Sequence, residues 1–162
     1  MSRVMKKFLD GIDVIADKSG KIFCYLVFII MLIVTLDVVA RYVFNHPLLW
    51  GWVLNRQLFG VFILFAGVYT LYTGGHISIE IFYDRFGRKV KSIARLFALA
   101  AFLGFVGVLL WQTTWMGLNS LQMKEKAAGA FRIPLYPFKL LIPVVVLLFL
   151  LVGISALRRE KD

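Results

Sequence analysis

Four long apolar stretches constrain this chain more than any other feature of its sequence. They cover residues 22–44, 50–73, 96–117 and 140–157. Within them only Asp37, Arg41 and Arg56 are charged. A helix needs about 20 mostly apolar residues to cross the hydrocarbon core of a bilayer, because each residue adds only about 1.5 Å. The sequence therefore predicts an all-α integral membrane protein with four transmembrane helices.

The composition agrees with a single membrane domain. Of the 162 residues, 60% are hydrophobic, and the mean hydropathy is +0.82. A soluble domain could not bury so much apolar surface, so lipid must be part of the solvent. No linker rich in Ser, Gly or Pro divides the chain, and we expect one bundle of short-looped helices over residues 1–162.

The distribution of basic residues orients the predicted spans. Of the 19 Lys and Arg residues, 13 lie before the first span, between the second and third, or after the fourth. The remaining six are Arg41, Arg56, Lys124, Lys126, Arg132 and Lys139. Loops that are richer in Lys and Arg face the cytoplasm. This asymmetry predicts that both termini are cytoplasmic, and it explains the basic balance without a nucleic-acid partner.

Aromatic residues mark the outer ends of the spans. Trp50, Trp52, Trp111, Trp115 and Tyr136 all fall at that level of the predicted topology. Trp and Tyr prefer the headgroup region, where one end of the ring is hydrated. We expect an aromatic outer rim, in which Trp50, Trp52 and Trp115 are candidates for docking a partner protein.

The segment before the first span has the pattern of an amphipathic helix. Val4, Phe8, Ile12 and Ile15 recur at helical spacing among charged residues. This pattern predicts an N-terminal interfacial helix on the inner leaflet. Residues 77–91 mix apolar and charged side chains in a similar way and are a candidate for a second interfacial helix.

Asp37 is the residue of the predicted spans whose burial costs the most free energy, because an unpaired carboxylate in lipid is strongly unfavourable. Arg41 lies four residues further along the same helical face, and Arg56 enters the second span from the same side. One hypothesis is a structural ion pair or network that joins the first two helices. The alternative is a transport role in which Asp37 is a coupling carboxylate.

Small residues and one proline are predicted to shape helix packing. Small side chains let helices approach closely, and proline removes a backbone donor within a helix. The candidates are Gly60, Gly67, Ala100, Gly104, Gly107 and Pro143.

Catalytic and cofactor chemistry is not indicated. The only cysteine, Cys24, lies in an apolar run and is expected to be packed and inert. His46 and His76 fall on opposite sides of the predicted membrane, so one haem could hardly reach both. Glu80 and Asp84 are the nearest approach to a polar cluster at one interface. We therefore expect no enzyme, no metal site and no cofactor.

Four segments carry a resemblance to a known family. They read RYVFNHPLLW at residues 41–50, NRQLF at 55–59, GGHISIE at 74–80 and RIPLYPFKLLIP at 132–143. At these segments the chain resembles the DctQ-type small membrane subunit of tripartite ATP-independent periplasmic (TRAP) transporters. Gly51, Trp52 and Val53 depart from the family, which commonly has acidic residues after this Trp, so no role for those carboxylates carries over.

The resemblance implies a non-catalytic subunit of a sodium-coupled secondary transporter that imports organic anions such as carboxylates or sialic acid. In that family a large membrane subunit transports the substrate, and a periplasmic substrate-binding protein delivers it. The small subunit braces the scaffold of the large one. This implies a multi-pass protein of the bacterial inner membrane, in contact with membrane lipids and with both partner proteins.

Two other functions remain open from the residues alone. A stand-alone four-helix transporter would use Asp37 as its coupling carboxylate and act as a homodimer. A lipid-modifying membrane enzyme would show turnover as a purified chain. The four spans offer no polar midplane site or inverted repeat of the kind that transporters use, which favours the subunit hypothesis.

Overall fold

The computed structural model describes residues 3–75, 88–128 and 132–159. These residues form five helices: α1 (Arg3–Cys24), α2 (Leu26–Tyr42), α3 (Gly51–Tyr72), α4 (Arg88–Gln122) and α5 (Tyr136–Arg159). Four helical segments are long and apolar enough to cross a membrane: Asp10–Tyr42, Gly51–Tyr72, Leu96–Gln122 and Tyr136–Ala156. The prediction of a helical protein with four helices able to span a membrane is confirmed for this part of the chain.

α1 and α2 form a nearly continuous helix that is interrupted only at Tyr25. The Tyr25 N–H donates to the Ile22 carbonyl at 3.3 Å, and the Phe28 N–H donates to the Tyr25 carbonyl at 3.1 Å. These bonds to the third residue back tighten the helix locally, as in a 3-10 turn. The segment predicted to lie on the inner leaflet therefore leads into the first apolar span without a loop.

The second half of α1 packs side by side with α3 and α5. The buried core cluster consists of Ile12, Ala16, Phe65, Val68, Val145 and Val152. Gly20 lies against the Tyr69 side chain, and the rings of Phe23 and Phe65 stack with centroids 3.9 Å apart. Since the contact moves backwards along α3 as it moves forwards along α1, the two helices are antiparallel. This half of α1 is part of the helix packing, while the position of α1 relative to a bilayer stays a prediction.

The helices form an open row rather than a closed bundle. α4 packs mainly against α5, α5 against α3, and α3 against α2, while α1 covers the adjacent side of α3 and α5. No residue of α2, all of which the structure describes, is buried. Large apolar side chains are exposed at both ends of the row, among them Phe28, Met31, Leu32, Phe97, Phe105 and Val108. The row thus has two apolar edges, α2 and α4.

Three helices end where one residue takes a left-handed backbone conformation. These residues are Asn45 with φ of 51°, Gly74 with φ of 72° and Lys124 with φ of 46°. Such residues are common just after a helix, where they let later N–H groups bond to the last carbonyls. The Glu125 N–H, for example, donates to the Ser120 carbonyl at 3.0 Å. The ends of α2 and α4 lead into the two loops that carry the candidate functional residues, and both loops are predicted to lie on the outer side.

Candidate functional site

Asp37 makes two hydrogen bonds near the C-terminal end of α2. Arg41 Nη2 donates to Asp37 Oδ2 at 2.9 Å, and the Leu48 backbone N–H donates to Asp37 Oδ1 at 2.8 Å. The Asp37 side chain is 22% exposed. Because each carboxylate oxygen accepts a hydrogen bond, much of the cost of removing the charge from water is compensated. Asp37 thereby ties the last turns of α2 to the loop that leads into α3.

Arg56 does not join this pair. It is exposed on α3, and it forms no salt bridge with a carboxylate of any described residue. The structure brings Asp37 and Arg41 together, as their spacing of four residues suggests. The link towards α3 instead passes through the backbone of Leu48, and side-chain patterns cannot reveal such a donor.

The candidate rim residues differ in exposure. Trp52 is 75% exposed and Trp115 is 59% exposed, whereas Trp50 is half-buried just before α3 begins. Trp111, on the same helix as Trp115, is also exposed. Trp52 and Trp115 therefore present their rings to the surroundings, which is compatible with headgroup contact and with docking of a protein.

The predicted packing residues of α3 and α5 behave differently from one another. A Cβ at Gly60 would lie 2.5 Å from Phe138 Cζ, so the absence of a side chain lets this ring approach α3. No described atom lies within 4 Å of a Cβ built at Gly67. Pro143 lies inside α5, which continues through it. Among the three, Gly60 makes the close helix contact.

The small residues of α4 face away from the rest of the chain. Ala100, Gly104 and Gly107 are all exposed. In the described part of the chain, no atom would meet a Cβ added at either glycine. These residues lie opposite Val106, which is buried towards α5. Any close approach that they permit is therefore to a molecule outside this chain.

Three other glycines make close contacts that the sequence analysis missed. A Cβ at Gly20 would lie 2.6 Å from Tyr69 Cβ, one at Gly117 would lie 3.0 Å from the Lys139 carbonyl oxygen, and one at Gly153 would lie 2.5 Å from Phe102 Cζ. Their only signal in the sequence is a glycine within a helix. Whether a glycine contacts an adjacent helix depends on how the helices pair. The spacing of residues along one helix does not predict that pairing.

The segment between α4 and α5, on the side predicted to be the outer one, folds back on itself. Lys126 and Pro134 form an antiparallel bridge, and the Leu135 N–H donates to the Glu125 carbonyl at 2.9 Å. We call residues 123–128 and 132–135 the outer hairpin. Its charges contribute to the predicted orientation of the spans, but the hairpin itself was not predicted. The available signal is the clustering of Lys124, Lys126 and Arg132, three of the six cations predicted to lie on the outer side, within nine residues.

A salt bridge anchors the outer hairpin to α5. Lys139 Nζ lies 2.5 Å from Glu125 Oε2, with Lys139 24% and Glu125 38% exposed. The hydrogen bond from Lys139 is the main reason why the pKa of Glu125 lies below its ordinary value of 4.5. Glu125 is the only carboxylate of the outer hairpin, and it is thus already paired.

The described residues show no grouping that could bind a metal. No three His, Cys, Asp or Glu side chains among them come together in a suitable arrangement. His46 is exposed in the loop after α2, while His76, Glu80 and Asp84 lie outside the described residues, as does most of the candidate second interfacial helix. Cys24 is exposed at the end of α1, so the expectation that it would be packed is wrong.

The row of membrane-length helices defines a multi-pass helical membrane protein. The family described as tripartite ATP-independent periplasmic transporters, DctQ component, matches residues 30–161. This chain belongs to that family and is a small membrane subunit of a TRAP transporter. The resemblance found in the sequence is thereby confirmed. No curated protein and no solved structure matches the chain.

Family membership has three general consequences. DctQ proteins are components of transporters, a class that is generally non-enzymatic. The family works with a large membrane subunit and a periplasmic binding protein. Together with the four apolar helices, it indicates a multi-pass protein of the inner membrane.

Proposed function

We propose that this chain is the non-catalytic small subunit of a sodium-coupled importer of organic anions such as carboxylates or sialic acid. In this role it braces the scaffold of the large transport subunit, and a periplasmic binding protein supplies the substrate. Membership of the DctQ family supports the transporter as a whole. Sodium coupling and the class of substrate follow from the family resemblance in the sequence.

The open row of helices is the observation that carries the bracing role. A closed four-helix bundle turns its apolar faces towards one another. Here α2 has no buried residue, and α4 makes its main contacts with α5 alone. A chain that contributes two broad apolar edges adds surface to a neighbouring membrane protein. Lipid covers whatever part of these edges the large subunit leaves free.

We place the closest contact with the large subunit on the outward face of α4. Gly104 and Gly107 have open space where a Cβ would lie, and Ala100 continues the same face. Small residues let two membrane helices approach closely, so that van der Waals contact between them is extensive. The bulky exposed ring of Phe105 lies on another side of the helix. This face of α4 is therefore better suited to close packing against a partner helix than the other exposed faces of α4.

Asp37 has a structural role in this proposal. Both of its oxygens are engaged by groups of this chain, Arg41 and the Leu48 N–H. A coupling carboxylate would have to exchange such bonds for an ion or a proton during each transport cycle. The rival hypothesis of a stand-alone transporter relies on that exchange.

The outer rim is the proposed contact with the binding protein. The excess of basic residues on the other side supports cytoplasmic termini, and with that orientation the rim faces the periplasm. Trp52 and Trp115 are exposed there, and Trp50 lies two residues before Trp52. Exposed Trp side chains are favoured contact residues at protein interfaces.

Uptake by reconstituted vesicles tests the division of labour between the subunits. Proteoliposomes would contain this chain alone, the large subunit alone, or both, with the binding protein outside and an inward sodium gradient. We expect uptake of the organic anion only when both membrane subunits and sodium are present. Uptake by vesicles that contain this chain alone would overturn the proposal and favour the stand-alone transporter.

A further inference from the structure

A cavity of about 540 Å³ opens between the outer hairpin and the adjoining ends of α4 and α5. It is lined by Leu121, Lys124, Lys126, Arg132, Pro134 and Tyr136. Sites for small molecules commonly measure about 300–1,000 Å³ and combine apolar walls with a few polar groups. This cavity falls within that range of volume and has a mixed lining, and it is open to the surroundings, since Lys124, Lys126 and Arg132 are all exposed.

The cavity carries three positive charges without a carboxylate among its lining residues. They belong to Lys124, Lys126 and Arg132. Glu125, the nearest carboxylate in the sequence, is bound to Lys139 outside the lining. In the described part of the chain, no salt bridge engages any of the three lining cations. Clustered cations in a concave site focus a positive potential that attracts anions.

The backbone of the outer hairpin holds these side chains around one opening. Lys124 occupies the left-handed position that ends α4. Two residues later, Lys126 pairs with Pro134 in the antiparallel bridge, and this register sets Arg132 opposite Ala128 and on the same face of the hairpin as Lys126. The salt bridge between Glu125 and Lys139 fixes the same segment to α5. The three cations are thus held close together by hydrogen bonds and a salt bridge that do not involve their own side chains.

The cavity extends outwards from the level at which aromatic residues are predicted to mark the membrane interface, since Tyr136 lines it. α4 continues to Gln122, which at 1.5 Å per residue lies about 10 Å beyond Trp115. If Trp115 lies at the headgroup level, the hairpin that follows Gln122 stands in the aqueous phase. A dissolved anion reaches such a position more readily than the headgroup of a bilayer lipid.

From these observations we infer that the outer hairpin holds a binding site for a small organic anion with two or more acidic groups. Lys124, Lys126 and Arg132 pair with the acidic groups, and the Arg132 guanidinium suits a carboxylate because it can donate two parallel hydrogen bonds. Leu121 and Pro134 contact the carbon chain of the ligand, while the Tyr136 hydroxyl offers a neutral donor. This site goes beyond the bracing role and does not depend on it.

Citrate binding to the full chain in phosphatidylcholine nanodiscs tests the site by isothermal titration calorimetry. We expect saturable binding that weakens when the salt concentration rises from about 0.05 M to about 0.5 M. Replacing all three cations (Lys124→Gln, Lys126→Gln and Arg132→Gln) should weaken binding about tenfold or more. Arg56→Gln removes one outer charge away from the cavity and should leave citrate affinity unchanged. The single charge reversal Lys126→Glu provides a second test if the triple variant fails to fold.

Equal citrate affinity of the parent chain and the triple variant would overturn the site, as would the absence of citrate binding to the parent. If a hexaglutamate peptide bound and citrate did not, the hairpin would be a docking surface for an acidic protein, and the small-anion site would be wrong. Loss of citrate binding after phosphatidylglycerol is added to the nanodiscs would assign the cavity to lipid headgroups instead. None of these outcomes bears on uptake by the two-subunit vesicles, so the bracing role is tested separately.

Discussion

Asp37 connects the C-terminal end of α2 to the following loop, since one carboxylate oxygen accepts from Arg41 and the other from the Leu48 N–H. We expect Asp37→Leu to lower the free energy of unfolding by about 1–3 kcal/mol, because the half-buried Leu48 N–H loses its acceptor. Asp37→Asn keeps an oxygen for this N–H and gives up only the partly exposed pair with Arg41, which is worth about 1 kcal/mol or less. Thermal unfolding of both variants in detergent measures the difference.

The Asp37→Asn variant also distinguishes a structural carboxylate from a coupling carboxylate. With the large subunit present, Asp37→Asn should retain most of the uptake activity of the parent. Abolished uptake in a complex that still assembles would contradict the structural role and support the rival hypothesis.

Gly20 is the position where α1 and α3 come closest. A Cβ at this position would lie 2.6 Å from Tyr69 Cβ, an atom that cannot move without the backbone. We expect Gly20→Ala to destabilise the protein by about 1–3 kcal/mol through overpacking. Gly11→Ala is the matched control, since it lies in the same helix with no described atom within 4 Å. This control should gain about 0.5–1 kcal/mol from helix propensity, and equal melting temperatures of the two variants would contradict the packing of α1.

The salt bridge between Glu125 and Lys139 predicts a pH dependence of stability. The pKa of Glu125 is lower in the folded chain than its ordinary value of 4.5. The pair therefore contributes fully above that pH and loses its contribution as the pH falls through the folded pKa. Lys139→Met lacks the contribution at every pH. The difference in melting temperature between parent and variant should shrink below about pH 4.5, and a constant difference from about pH 3 to pH 7 would contradict the pairing.

Sequence patterns give some of these contacts and miss others for a physical reason. The spacing of four residues brings Asp37 and Arg41 onto one helical face, so their contact is local and predictable. The Leu48 donor lies 11 residues away from Asp37 along the chain. Gly20 meets Tyr69 only because α1 and α3 run side by side. Contacts of this kind depend on the pairing of elements, which spacing within one element does not encode.

At the scale of elements, the apolar length of each segment predicts helices that can span a membrane, because this property is local to the segment. The position of α1 relative to the membrane cannot be predicted from its own sequence pattern in the same way. Its apolar stripe suits either a bilayer surface or a neighbouring helix, and in the structure Ile12 and Ala16 pack into the core with α3 and α5. The outer hairpin escaped prediction because a single bridge between Lys126 and Pro134 has no periodic signal in the sequence.

The outward face of α4 predicts how this element meets the large subunit. Gly104→Leu and Gly107→Leu together would fill open space, so the fold of this chain should be unchanged. A helix that packs closely on this face would be displaced, because the added side chains keep the two backbones apart. We expect these changes to reduce co-purification with the large subunit about tenfold or more.

Ala98→Leu is the control for this face, since Ala98 is exposed on a different side of the same helix. It should leave co-purification unchanged. Full co-purification of the Gly104 and Gly107 double variant would show that the large subunit binds elsewhere, with the opposite edge at α2 as the next candidate.

At the scale of the whole molecule, the open row explains why the four spans carry so little chemistry. A transporter gathers polar groups near the midplane of the membrane, where ions and substrate must be coordinated. In this chain the engaged carboxylate Asp37 lies near the outer end of α2. What the molecule offers instead is apolar surface on α2 and α4 and a basic cavity at the outer hairpin. Such a molecule works as one part of a larger assembly.

The most direct test of this account is to purify the tagged chain after co-expression with the large TRAP subunit and to measure the composition and mass of the product. We predict a stable complex that contains both proteins and takes up the organic anion once it is reconstituted with the binding protein and a sodium gradient. A stable assembly of this chain alone that transports the anion without the large subunit would contradict the account.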